Sequence, residues 1–170
     1  SYFKIMRIIV KNKDTLLYDD FKFRCSVGKY GFNNNKKEGD HTTPKGIFEI
    51  GDIFYRPDRV KKPISRLNIR KIKKKMGWCD DPNSKLYNKL IKINKKLNIG
   101  YEKLFRQDHK YDLLIVIKYN FKKIIKNKGS AIFLHLTKNY SPTQGCVSLK
   151  KKDFLILCKI IKKNSKIKIN

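Results

Sequence analysis

Residues 129–163 read GSAIFLHLTKNYSPTQGCVSLKKKDFLILCKIIKK. Ala131–Leu136 is an apolar run behind Gly129-Ser130, the pattern of a buried strand. Pro142-Thr143-Gln144-Gly145 is a polar turn, and Cys146 follows it directly. From Lys151 to Lys163 the period changes. Phe154, Leu157, Cys158 and Ile161 recur at i, i+3, i+4 and i+7 with lysines on the other face, which predicts a helix.

Outward from this segment, strands dominate. Lys4–Val10 and Phe21–Val27 read as strands. In the second, Phe21, Phe23, Cys25 and Val27 alternate with Lys22, Arg24 and Ser26, the period of a half-buried strand. Asp19-Asp20 marks the turn between them, and Gly28–Gly46 is loop-like. Ile47–Tyr55 is a third strand with a bulge expected at Gly51. Arg56–Met76 mixes loop with a short strand, Gly77–Asn83 is turn-rich, and Leu86–Phe105 fits neither period cleanly. Leu113–Tyr119 is a β-branched run typical of a buried strand, and Ile167–Ile169 suits a closing one. There is no internal repeat and no linker. The sum is a mainly β single domain spanning 1–170: two packed sheets with a few helices at the edges.

Composition narrows the function. The chain has 170 residues and 40% hydrophobic content, enough for one real core. Its apolar runs of about five residues fall far short of the roughly 20 of a membrane-spanning helix. Ser1–Val10 lacks the charged and apolar regions of a signal peptide. The net charge is +28, which suggests a partner that is polyanionic. Yet 35 of the 42 basic residues are lysine, scattered end to end. Specific phosphate or base readers favour arginine, so compositional drift toward Lys, Asn and Ile explains the charge better. Polyanion binding is then expected to be weak and salt-sensitive.

Four cysteines without CxxC spacing, and histidines at 41, 109 and 135, make a structural zinc site a poor reading. Cys25 and Cys158 lie on apolar faces and read as core. Cys79, within Gly77-Trp78-Cys79-Asp80-Asp81-Pro82, is less easily assigned to packing. Cys146 differs in kind. A cysteine after a polar glycine turn is expected at a surface, and Gly145 allows a sharp bend and close approach of a substrate backbone. His135 ends the preceding apolar strand. The two suit a nucleophile and base, with a thiol pKa expected below that of a free cysteine.

Thr143-Gln144-Gly145-Cys146-Val147 resembles the S/T-x-G-C-[I/V] motif of the L,D-transpeptidase catalytic domain family (YkuD-like), with His135 where that family has its histidine. Gly39-Asp40-His41-Thr42-Thr43-Pro44-Lys45-Gly46-Ile47-Phe48 resembles the family's G-D-x-x-T-P-x-G-x-F segment. Gly77–Pro82, Tyr87-Asn88, Tyr111-Asp112 and Gly129–His135 look like a proteobacterial branch. Ser148 stands where many members carry arginine, so the resemblance leaves that residue's substrate-holding task to a lysine such as Lys150 or leaves it absent; Ser148 and Lys150 are the substrate-binding candidates.

The resemblance implies an L,D-transpeptidase-like fold and a peptidoglycan stem tetrapeptide as substrate. Cys146 attacks the L-centre–D-Ala bond, His135 acts as base and then acid, and an amine resolves the thioester to a 3→3 cross-link. Water in place of the amine gives a carboxypeptidase. A backbone carbonyl near Thr143–Gly145 is expected to orient His135, and N–H groups around Gly145 and Cys146 to meet the oxyanion. No cofactor or metal is required, and the substrate implies the periplasm or cell envelope. The competing reading is a non-catalytic basic module for nucleic acid or an anionic wall polymer. Intact His135, Gly145 and Cys146 argue against it, and Arg56–Lys75 lacks the interleaved aromatics of a single-strand binder.

Overall fold

The computed structural model describes residues 6–170. Its strands are β1 (Arg7–Lys11), β2 (Thr15–Tyr18), β3 (Phe21–Arg24), β4 (Phe32–Asn33), β5 (Thr43–Pro44), β6 (Gly46–Tyr55), β7 (Ile69–Lys71), β8 (Met76–Cys79), β9 (Leu90–Lys92), β10 (Tyr101–Lys103), β11 (Leu113–Ile117), β12 (Phe133–Leu136), β13 (Val147–Leu149) and β14 (Lys166–Ile169). The helix α1 covers Lys151–Ile160. The fold is mainly β, as the sequence leads one to expect. Lys4 and Ile5, in the first expected strand, lie outside the described residues.

One sheet holds nine strands in the order β13-β12-β11-β6-β14-β1-β2-β3, with β7 on β6. Its two ends meet. Just past β3, Ser26 N–H donates to the Ser148 carbonyl at 3.0 Å and Ser148 N–H donates back at 2.9 Å. A second bridge joins Gly28 to Thr143. The sheet therefore curls into a nearly closed barrel whose seam runs beside β13. Closure removes an edge that would otherwise expose unpaired backbone groups.

Alternation along β11 and β12 divides the interior into two clusters. Leu113, Ile115 and Ile117 face the main core with Leu134, Leu136, Val147 and Leu149. Leu114 and Val116 face the opposite side with Phe133, Trp78, Tyr111 and Cys146. A three-stranded sheet, β10-β8-β9, contributes Trp78 to this second side. α1 closes the main core with Phe154, Leu157 and Cys158, all fully buried. Each large apolar side chain so buried stabilises by roughly 1.5–3 kcal/mol.

Three elements differ from the reading of the sequence. α1 ends at Ile160, three residues early. Ile161 turns extended (φ −65°, ψ 134°), which keeps it buried while Lys162 N–H donates to Tyr18 Oη at 3.1 Å and the chain turns into β14. Among the described residues α1 is the single helix, where several were expected. Gly77–Cys79 is strand rather than turn, because Trp78 and Cys79 bury between β9 and β10. The turn starts only at Asp81, whose carboxylate accepts from Asn83 N–H. The bulge near Gly51 is present. Ile53 pairs with Ile115 but Ile50 with Ile117, so Gly51 and Asp52 together oppose Val116.

Candidate active site

The alternation that sorts the core also builds the site. β12 and β13 run parallel, with Leu134 opposite Val147 and His135 opposite Ser148. Leu134 and Val147 face the main core. Their neighbours Phe133, His135, Cys146 and Ser148 must then face the other side. There a cavity of about 260 Å³ is lined by Cys146, His135, Gly145, Thr143 and Ser148, with Lys36, Glu38, Asp80, Glu102, Arg106, Lys110 and Tyr111. Cys146 and His135 thus share one cavity.

The turn before Cys146 is held by Thr143. Its hydroxyl donates to the Cys146 carbonyl at 2.6 Å and accepts from Gly145 N–H at 3.1 Å. Gly145 has φ +147°, and a Cβ there would stand 2.8 Å from the Thr42 carbonyl oxygen. Only glycine fits this crossing of two loops. The Gly145 N–H, expected from the sequence to meet an oxyanion, donates to the Thr143 hydroxyl in this structure.

Cys146 is buried, at 9% exposure, and not presented on the surface as expected. Its thiol donates to the Ala131 carbonyl at 3.2 Å and accepts from Phe133 N–H at 3.4 Å. Burial, reinforced by the nearby Glu102 carboxylate, pushes the thiol up to about 12. This reverses the sequence expectation of a depressed pKa. The polar turn is real, but it folds inward over Ala131. His135 moves the opposite way. Burial, with Lys110 and Arg106 adding repulsion, lowers it to about 4. The unliganded site therefore holds a neutral thiol and a neutral imidazole at pH 7.

The imidazole has a defined tautomer. His135 Nδ1 lies 2.8 Å from the Leu136 carbonyl. A carbonyl only accepts, so Nδ1 carries the proton and Nε2 keeps a lone pair. A backbone carbonyl orients the ring, as expected, but it belongs to Leu136 and not to Thr143–Gly145.

The two substrate-holding candidates fare differently. Ser148 lines the cavity, yet it is 1% exposed and its hydroxyl is bonded to that of Ser26. Lys150 is exposed at the N-terminus of α1 and does not line the cavity. The cavity's cations are instead Lys36, Arg106, Lys110 and Lys138. None was singled out in the sequence, because the tertiary fold brings them together from three separate connections, β4–β5, β10–β11 and β12–β13.

The motifs quoted around the site prove to be its scaffold. Ala131 adopts φ +53°, uncommon for a residue with a Cβ. Its N–H donates to Asn88 Oδ1 at 3.0 Å, which also accepts Trp78 Nε1–H at 2.8 Å. Asn88 Nδ2 donates to the Asn120 carbonyl at 2.6 Å. Tyr87 donates to Glu38 at 2.7 Å and accepts Gly129 N–H at 2.9 Å. Tyr87-Asn88 and Trp78 thus fix the loop whose Ala131 carbonyl holds the thiol. Cys79 is fully buried in β8 and reads as packing.

This is a cysteine–histidine cavity on a nearly closed β sheet. The chain matches the L,D-transpeptidase catalytic domain, YkuD, over residues 5–169, and it belongs to that family. A solved structure described as "Structure of Bdellovibrio bacteriovorus Bd1075" shares the fold, with a TM-score of 0.51 and 19% sequence identity. The similarity covers 99% of this chain and 48% of that one, so the present chain spans about half its length. No curated protein matches the sequence. The family is cell-wall related and acts on peptidoglycan peptides. No helix among the described residues is long and apolar enough to cross a membrane.

Proposed function

We propose that the chain is a peptidoglycan L,D-transpeptidase with Cys146 as nucleophile and His135 as general base and acid. The observation that carries this reading is the shared cavity. It holds one thiol and one imidazole whose Nε2 lone pair is left available by the Leu136 contact. The Cys146 proton passes to Nε2 and the sulfur attacks the carbonyl of the L-centre–D-Ala bond. The C–N bond breaks, the proton goes to the departing D-Ala amine, and a thioester remains. An amine of a second stem peptide then attacks the thioester. Its proton goes to His135 and on to the leaving sulfur.

Thr143 and Gly145 act by holding the Cys146 backbone. Three carboxylates, Glu38, Asp80 and Glu102, line the cavity of a protein with net charge +28. They favour an amine-bearing acceptor over water. A peptidoglycan substrate places the protein in the periplasm or cell envelope, where the exposed lysines add weak, salt-screened attraction to anionic polymers.

Mass spectrometry of stem tetrapeptide incubated with the protein tests the reading. D-Ala release with a cross-linked dimer is expected; release alone would make the enzyme a carboxypeptidase. Cys146→Ala is expected to abolish both, while Cys25→Ala and Cys158→Ala each cost about 1 kcal/mol of stability as small core truncations. Normal turnover by Cys146→Ala would end the proposal.

A further inference from the structure

Lysine is abundant here and almost always exposed, but Lys36 is not. Its side chain is 3% exposed, and it is the one lysine in the buried set among the described residues. Its Nζ donates to Asp40 Oδ1 at 2.8 Å and, more weakly, to the Lys37 carbonyl at 3.5 Å. Asp40 is itself pinned. It accepts from Lys37 N–H at 2.8 Å, Thr42 N–H at 2.9 Å and the Thr42 hydroxyl at 2.8 Å. Burial alone would raise Asp40, but these bonds, with Lys36 foremost, hold it well below the usual carboxylate range.

The ammonium therefore sits at a fixed point, against the residue preceding the nucleophile. Nζ lies 3.3 Å from where a side chain on Gly145 would begin, and Lys36 lines the same cavity as Cys146. An ammonium has three N–H donors. Two are matched by protein acceptors, which leaves one for the cavity. Burying an ion pair costs desolvation, and a well-packed apolar pair commonly serves structure as well. The cost is understandable if the charge itself is used.

We infer that Lys36, clamped by Asp40, is an electrostatic positioning residue that stabilises negative charge developing at Cys146 and on the oxygen of the carbonyl it attacks. The inference rests on the proposed role of Cys146. Other charged groups also bear on the sulfur. Glu102 opposes the thiolate, while Lys36 and Arg106 favour it. Tyr111 donates to Glu102, and Arg106 is engaged by Asp108 at 2.6 Å. His135 is neutral at pH 7 and adds no charge there. Lys36 is thus a cation beside the nucleophile with a donor to spare.

The test needs no peptidoglycan. Cys146 is alkylated at pH 8 with neutral iodoacetamide and with anionic iodoacetate, and the site is read by peptide mapping. Lys36→Met keeps length and loses charge; Lys36→Arg keeps charge. In Lys36→Met the iodoacetamide rate is expected to fall, and the iodoacetate to iodoacetamide ratio to drop about tenfold, the scale of one close unit charge. Lys36→Arg is expected to retain the ratio within about twofold. A purely structural lysine predicts otherwise: loosening would speed both reagents alike and begin to label buried Cys25 and Cys158.

An unchanged ratio in Lys36→Met with Cys25 and Cys158 still protected overturns the inference. So does a ratio lost equally in Lys36→Arg. If the ratio falls as expected but wild-type protein never turns over stem peptide, Lys36 stands and the substrate reading fails.

Discussion

In the unliganded protein Cys146 is expected to behave as a buried neutral thiol, and His135→Ala to leave its alkylation near pH 7.5 almost unchanged. The argument starts from the thiol at about 12 and the imidazole at about 4. At pH 7.5 a group at about 12 is ionised in roughly 3 molecules per 100,000, against about one in ten for a free cysteine near 8.5. That is a deficit of roughly 3,000-fold in thiolate before shielding is counted. Transfer of the proton from sulfur to Nε2 spans about eight powers of ten, or roughly 11 kcal/mol. Attraction between the ions formed returns about 4 kcal/mol at contact and an effective dielectric near 20. The preformed ion pair is therefore negligible, and the proposed role of His135 as base requires that substrate binding change these values.

The assay is iodoacetamide labelling of Cys146 from pH 6 to pH 10, with and without His135. A log rate rising about one unit per pH unit across that range is expected, superimposable for wild type and His135→Ala. Turnover of stem peptide is expected to vanish in His135→Ala. A labelling plateau below pH 7 that His135→Ala removes would show a preformed thiolate–imidazolium pair and refute the reasoning.

Stability is expected to respond to pH on both flanks. His135 is held below its ordinary value, so the unfolded chain takes the proton first. Stability is complete above pH 6.5 and is lost as pH falls toward 4, by about 3 kcal/mol. Urea midpoints against pH measure this, and His135→Gln should flatten that step. Asp58 and Asp108, held down to about 2 chiefly by their arginine partners, extend the acid loss from about pH 4 toward 2. Cys25 and Cys158, raised by burial to about 12, make stability fall above pH 9. Separately, Gly145→Ala forces a Cβ against the Thr42 carbonyl at a φ that side chains avoid. A loss of about 2 kcal/mol or more is expected, readable as a lower urea midpoint together with lost turnover.

What the sequence disclosed follows from the range of each interaction. Phe154, Leu157 and Cys158 announce α1 because a helix is periodic within a dozen residues. Leu113–Ile117 announces a buried strand for the same local reason. Gly145 and Thr143 were legible as a turn because turn chemistry is local too. The burial of Cys146 was not, because its thiol is held by Ala131, whose loop is fixed by Asn88 and Trp78, segments joined only by the tertiary fold. Gly77–Cys79 misled in the same way. Its glycine reads as a turn until β9 and β10 flank it. Lys36 is the extreme case, since nothing in its neighbourhood separates it from 34 other lysines.

Position 148 shows why substituting one residue does not remove a function from such a site. Ser148 closes the barrel through paired backbone bonds with Ser26, and its hydroxyl meets that of Ser26 inside the seam. An arginine there would have to project its guanidinium into a cavity that already holds Lys36, Arg106 and Lys110. Glu38, Asp80 and Glu102 offset the cations already lining it, and a further guanidinium would add repulsion among like charges. The chain has one cation clamped from beneath by Asp40, and the small serine leaves room in the cavity. On the role proposed for Lys36, the charge beside Cys146 comes from the loop before β5 and not from β13. A test at position 148 alone would miss it, since Ser148→Arg adds a competing charge, whereas Lys36→Met removes the one already in place.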